Sequence, residues 1–265
     1  LVAFFNPVIL ISAQKKFRIF GLSVSAANAG DLANWLGTKT VFNFPTSARP
    51  LEMVIHGFDV FNRSARQTAM LRPLYTNIRN RMTDSALVFT TDVKQAKLAA
   101  ADLILQALAD GHQFGTMQDD SVQIADANLA HCIEHGVGYM YPGMADSVAV
   151  EALFCAGKIR VLFLTKNTNL TANLVLILDT SVTESTDYRI ADVLEMVGSS
   201  QQKCVLFVAN SKREFFKKFL SEPIVVESAL DESIVELLNS EIASGNIKSK
   251  QDCIYPICRN STHHN

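Results

Sequence analysis

The chain has 265 residues, a formal net charge of -2, 48% apolar and 19% charged side chains. That balance excludes a disordered chain and leaves room for one large or two small cores. It also excludes a long-range electrostatic pull toward nucleic acid, so any such contact must be local.

The opening LVAFFNPVILIS is apolar, yet no basic residue precedes it, Pro7 interrupts it and Gln14-Lys15-Lys16 stops it short of a membrane span. A buried strand or helix end is predicted there, and no membrane contact. The missing initiator Met suggests a fragment of something longer. Apolar runs then recur at Phe17–Leu22, Ala86–Thr90, Ile159–Leu164, Leu174–Leu178 and Cys204–Val208. None alternates with polar residues, as expected of parallel strands covered on both faces. Between them, Lys94–Asp110, Ser147–Ala156 and Ile190–Val197 carry apolar residues three and four apart, and Gly111, Gly157 and Gly198 follow as stops.

This alternation predicts an α/β domain with a doubly wound parallel sheet. Residues 41–60 hold two prolines and no helical period, so they predict an extended connector. Beyond Lys212 the pattern turns helical: Lys212–Leu220, a loop at Glu222-Pro223, then Ser228–Ser244. The last begins with a capping-box spacing, lines up Leu230, Ile234, Leu238 and Ile242 on one face, and ends at Gly245.

Several constellations invite sharper readings that the residues do not sustain. Gly21-Leu22-Ser23-Val24-Ser25 starts like a nucleophile elbow, but Ser stands where Gly is needed. Gly37-Thr38-Lys39-Thr40 lacks the upstream glycine of a phosphate loop and reads as a turn. His131, Cys132 and His135 put two imidazoles one helical turn apart without a placed acidic ligand. Cys253, Cys258, His263 and His264 fall in a divergent tail. Lys212, Arg213, Lys217 and Lys218 beside Phe215, Phe216 and Phe219 describe a core-facing helix with a solvated face more readily than an RNA-stacking patch. Asp119-Asp120 and Asp231-Glu232 suit loop and helix-start charges. Five scattered cysteines (the remaining two are Cys155 and Cys204) suit a reducing compartment, so Asn62, Asn169 and Asn260 are chance glycosylation matches.

Three segments carry a family likeness. GLSVSAANAGDLANWLG (21–37), FNFPTSARPLEMVIHGF (42–58) and the long SKREFFKKFLSEPIVVESALDESIVELLNSEIASGNIKSKQD (211–252) resemble the Ski-like superfamily-two helicases, above all their tandem-cassette spliceosomal members, whose second cassette is degenerate. The resemblance implies the end of a first RecA-like lobe in 1–40, the connector in 41–60, a second RecA-like lobe in 61–210 and a partial winged-helix domain in 211–265. It also implies ATP and Mg in the parent family. This segment by itself has no nucleotide-binding loop and is expected to bind no cofactor.

Departures cluster at chemistry. Remnant motif positions are Ser23 and Ser25 in the turn that couples the lobes, Thr90 and Lys94 in the fourth motif, Thr165 in the fifth and Gly198 in the sixth. The fourth motif has Asp92-Val93 in place of Ser-Arg. A segment with a His-His pair in the family holds Met140-Tyr141 here. The fifth motif lacks Trp-Gly, and its shortened loop cannot reach the same nucleic-acid phosphates. After Gly198 the family carries a basic loop whose paired arginines sense ATP, whereas this chain reads Ser199, Ser200, Gln201 and Gln202. Neither amide nor hydroxyl replaces a guanidinium at phosphate.

The resemblance with these losses implies a nuclear, non-catalytic helicase cassette with no catalytic residue and no metal of its own. It would serve as a protein-interaction and regulatory platform in pre-mRNA splicing. Its expected partners are spliceosomal proteins and the neighbouring cassette, with weak RNA contact. The alternative is an active ATP-dependent RNA or DNA helicase that recruits another cation, Lys94 or Arg189. A third reading, an α/β enzyme of unknown reaction, finds no nominated residues.

Overall fold

Strands covered on both faces need apolar residues at every position. The computed structural model describes residues 51–115, 124–183 and 186–223, together with 21, 26–35, 40–42, 225–226, 239, 242–243 and 245. Among these residues the strands are β1 (Glu52–Phe58), β2 (Ala86–Thr90), β3 (Val137–Met140), β4 (Val161–Leu164), β5 (Ala172–Leu178) and β6 (Ser200–Ala209). They form one sheet in the order β1-β6-β5-β2-β4-β3, every neighbouring pair parallel. The helices are α1 (Ala29–Trp35), α2 (Arg63–Arg79), α3 (Val93–Ala109), α4 (Ala127–Glu134), α5 (Ser147–Cys155), α6 (Ile190–Gly198) and α7 (Arg213–Ser221). This is the α/β architecture expected of a RecA-like lobe.

The chain divides into two compact units, Thr46–Glu222 and a second made of Leu1–Pro45 with Pro223–Asn265. In the second unit α1 is described, and the Asn28 amide exchanges two hydrogen bonds with the Val226 backbone, donating at 2.8 Å and accepting at 3.0 Å. Apart from Gly21, the run Phe17–Leu22 lies outside the described residues. So does most of Ser228–Ser244, in which Asn239, Ile242 and Ala243 are helical.

The four apolar runs within the sheet unit become its four inner strands. Leu87, Val88, Leu162, Phe163, Leu176, Ile177, Val205 and Leu206 are fully buried, each stabilising the fold by about 1.5–3 kcal/mol. The two edge strands were not foreseen. β1 lies inside the segment read as a connector; its residues are mostly half-exposed, and its pairing with β6 makes it a strand. β3 is only four residues long. Helix α2 also escapes a simple hydrophobic reading, because Arg66 occupies the apolar stripe of Met70, Leu74 and Ile78, and Pro73 sits inside the helix.

One connection departs from the usual rule that parallel strands are joined by a helix of a dozen or more residues. β4 and β5 flank β2, and seven residues, 165–171, run from the end of one to the start of the other. Two strand spacings across and five residues down amount to roughly 19 Å. Eight helical residues would reach about 12 Å, and an extended link of that length about 26 Å. The link is therefore extended by necessity. Leu170 anchors it in the core, and the Asn167 side chain accepts from Ser199 Oγ at 3.3 Å.

The helices are fixed by local chemistry. Asn62 caps α2, Asp92 caps α3 and Asp126 caps α4 through side-chain oxygens. Asp126 does more: its second oxygen accepts from Tyr139 at 2.8 Å and from Lys97 at 3.2 Å, joining α3, α4 and β3. Burial is the first cause, and this hydrogen bond the second, that push the Tyr139 hydroxyl far above its ordinary range. Gly111, just past the end of α3, takes φ +70° in open space. Gly136, entering β3, takes φ +74°, and a Cβ there would lie 2.8 Å from the backbone of Phe114 and Gly115. Gly136→Ala should therefore cost about 3 kcal/mol, against about 1–2 kcal/mol for Gly111→Ala. Urea unfolding of the two variants checks the difference; equal costs would mean that the contact at Gly136 is not what excludes a side chain.

Candidate functional site

In an open parallel sheet, ligands gather beyond the carboxyl ends of the strands. Here that edge is formed by Thr90 and Thr91 after β2, Thr165 after β4, Asp179 after β5 and Asn210 to Lys212 after β6. The amino ends of α2, α3 and α6 open at the same edge, because each follows a strand or its loop.

Arg66 is the centre of the edge. Its side chain is 6% exposed and that of Asp179 is 0%. Asp179 Oδ2 accepts from Arg66 Nε at 3.2 Å and from Nη2 at 3.0 Å. The remaining guanidinium hydrogens go to Ser181 Oγ at 3.1 Å and to the carbonyls of Val60 at 3.0 Å and Phe61 at 3.2 Å. All five donors of the fork are used. Asp179 itself has φ +70°, a left-handed conformation that costs a non-glycine residue about 1–2 kcal/mol. Its other oxygen accepts from Ser181 N at 3.2 Å, so the pair and the turn hold each other.

Arg63 lies one turn earlier on α2. It donates to the Ser181 carbonyl at 2.8 Å, to Thr91 Oγ1 at 2.5 Å and to Asp92 Oδ2 at 3.3 Å. Arg189 is outermost, 82% exposed, and forks onto Asp192 at 2.9 and 2.7 Å. That bond draws the Asp192 carboxyl below the ordinary range. Lys212 bonds Asp187. The four cations Arg63, Arg66, Arg189 and Lys212 thus meet the four carboxylates Asp92, Asp179, Asp192 and Asp187. Tyr188 closes the inner side by donating to the Thr90 carbonyl at 3.2 Å, and burial pushes its hydroxyl up to about 12. Sequence reasoning missed Arg63 and Arg66, since no motif carries them; the signal was an arginine in the apolar stripe of a helix.

The structure brings three of the remnant positions to this edge. Thr90 is buried and donates to the Leu164 carbonyl at 3.3 Å, tying β2 to β4. Lys94 is exposed on the first turn of α3 with no ion pair among the described residues, and Thr165 is half-buried where the short link begins. Gly198 lies at the opposite edge. It ends α6, and only Ser199 separates it from β6. Ser199 and Ser200 are buried, Ser199 accepting from Ala172 N at 3.0 Å and Ser200 donating to the Lys203 carbonyl at 2.8 Å. Ser23, Ser25, Asp119, Asp120, Asp231, Glu232, Cys253, Cys258, His263 and His264 lie outside the described residues.

The other candidates resolve as follows. His131 and His135 pack edge to face at 5.0 Å, and His131 Nδ1 is 3.3 Å from Glu134. Among the described residues no group of three or more His, Cys, Asp or Glu converges. On α7, Phe216 and Leu220 are buried, whereas Phe215 is 48% exposed and packs 4.6 Å from Phe219. Adjacent helical residues point about 100° apart, so Phe215 and Phe216 cannot share the core face. No described helix is long and apolar enough to cross a membrane.

Arg66→Met should cost about 3–5 kcal/mol, because it strands a fully buried carboxylate. Adding Asp179→Asn should cost less than the sum, with a coupling of about 1–3 kcal/mol. Chemical denaturation of the two single variants and the double variant measures this, and additive losses would show that the pair is not one unit.

No protein-family model matches the chain. Curated relatives do, along 91–92% of its length. It is 35% identical over 272 residues to the DExH-box ATP-dependent RNA helicase DExH14 of Arabidopsis thaliana. It is 34% identical over 271 residues to the U5 small nuclear ribonucleoprotein 200 kDa helicase of Homo sapiens, and 32% identical over 271 residues to the pre-mRNA-splicing factor brr2 of Schizosaccharomyces pombe. The chain spans only 12–13% of the length of these proteins. A parallel α/β sheet, the helicase segments quoted above and these identities lead to one assignment: the chain belongs to the Ski-like superfamily-two RNA helicases.

Proposed function

We infer that the chain is a non-catalytic helicase cassette, equivalent to the second cassette of a tandem spliceosomal RNA helicase, and works as a protein-interaction and regulatory platform in pre-mRNA splicing. Its setting is the nucleus. Its partners are other spliceosomal proteins and the active cassette of the same polypeptide, with RNA a weak contact. Residues 1–40 belong to the preceding lobe in this reading, and 211–265 begin a winged-helix domain. The two relatives named as a small nuclear ribonucleoprotein helicase and as a pre-mRNA-splicing factor support the setting.

The observation that carries the loss of catalysis is the junction between α6 and β6. A phosphate-sensing loop needs length and guanidinium groups after the glycine. Here one residue joins helix to strand, and the two positions after Gly198 are serines turned into the fold, 6% and 2% exposed. The arginines at the carboxyl edge offer no substitute, since each is committed to a carboxylate. The guanidinium donors of this edge therefore do not suit a nucleotide triphosphate. Burying or pairing the guanidinium groups of Arg63, Arg66 and Arg189 makes this edge a rigid one rather than a sensor.

The test is ATP turnover by a full-length parent helicase carrying this segment, with the other cassette disabled at its nucleotide-binding lysine. RNA-stimulated ATPase should fall to background, at least about a hundredfold below the unmodified parent. Robust residual turnover would end the reading. In that event Lys94→Ala, at a cation of this edge with no ion pair among the described residues, is the variant to examine next for reduced nucleotide affinity.

A further inference from the structure

Helix α3 is apolar on both sides. Its inner face buries Ala96, Ala99, Ala100, Leu103, Ile104 and Ala107 against the sheet. A helix at a protein surface ordinarily turns polar residues outward. From Leu98 onward, every exposed residue of α3 is apolar instead: Leu98, Ala101, Leu105, Leu108 and Ala109. The three leucines are 60%, 66% and 44% exposed. The spacing is informative, because Leu98, Ala101, Leu105 and Leu108 recur at three, four and three residues. That is the a and d pattern of a coiled-coil seam, which selects a second helix rather than a flat surface or an extended strand.

Two cations with no ion pair among the described residues stand beside the seam or at its start. Arg72 reaches across from α2 and donates to no carboxylate among the described residues: its Nη1 donates to Gln106 of α3 at 3.4 Å and its guanidinium lies 5.6 Å from the Tyr75 ring. Lys94 precedes Leu98 by one turn, exposed and without an ion pair among the described residues. Of the four arginines of α2, Arg63, Arg66 and Arg79 are each held by a carboxylate, which leaves Arg72 as the one of the four that can face a partner. Asp102 is the acidic residue nearest the seam, and it is engaged by Gln106 within α3.

We propose that the outer face of α3 docks an amphipathic helix of a partner protein, its leucine-rich seam seated on Leu98, Ala101, Leu105 and Leu108 and its acidic flank facing Arg72 and Lys94. The inference deepens the platform reading and rests on it. A chain that binds no such helix, in a parent that shows no ATP turnover in the assay above, removes this inference and leaves that reading standing.

The probe is a short labelled synthetic helix with Leu at its a and d positions and Glu at e and g, titrated against the 265-residue chain. Its twin carries Lys in place of Glu. The Glu peptide should bind at least about tenfold tighter than the Lys peptide, and should weaken as salt rises from about 0.05 to about 0.5 M. Leu98→Gln with Leu105→Gln should cut the affinity by about tenfold or more, with the urea midpoint unchanged because both side chains are already exposed. Arg72→Glu with Lys94→Glu should reverse the peptide preference. The proposal is overturned by absent binding, by equal binding of the two peptides, or by leucine variants of unchanged affinity. It is equally overturned if sedimentation shows the chain pairing with itself through this face, the pairing lost in the leucine variant, since the occupant is then a second copy.

Discussion

A buried guanidinium in the middle of an apolar layer must be satisfied completely, and Arg66 is. Its five donors reach one carboxylate, one hydroxyl and two carbonyls. The arrangement links residues 113 apart in sequence, the first helix after β1 and the turn after β5. Asp179 keeps a left-handed backbone because leaving it would leave both charges without partners at once. The neighbouring pairs extend the same logic outward, so that Arg63, Arg189 and Lys212 each face a carboxylate.

That charge balance gives the family likeness its meaning. The sheet, its helices and its packed strands follow the helicase pattern, while the segments that the resemblance assigns to phosphate handling are where this chain departs from it. Ser199 and Ser200 sit in the fold at the point where the resemblance calls for a basic loop, and the fifth-motif region is an extended strap. Selection for a stable lobe explains the first set of features without requiring the second.

The legible part of the sequence was the part with redundant signals. Inner strands each carry an unbroken apolar run, so β2, β4, β5 and β6 stand out, and long periodic helices such as α3 do as well. β1 hid because an edge strand shows one face to solvent and its residues are neither consistently apolar nor alternating. α2 hid because its stripe contains a buried arginine and a proline. The missing arginines after Gly198 were visible as an absence. The arginines that are present, Arg63 and Arg66, were not visible as a site, because their partners come from residues up to 118 positions away. The two serines at 23 and 25 fall outside the described residues, so the site as drawn is the edge of one lobe.

The strap between β4 and β5 tolerates change in one direction only. It already uses roughly three-quarters of its reach (about 19 of about 26 Å), so removing two residues would stretch it to its limit of about 20 Å, and removing a third would pull the strands out of register. Lengthening it costs little, since loop entropy grows by about 0.6 kcal/mol for each doubling. Growth of this segment is therefore nearly free to the lobe and loss of more than two residues is ruinous, so the width of the sheet sets a lower bound just short of the present length.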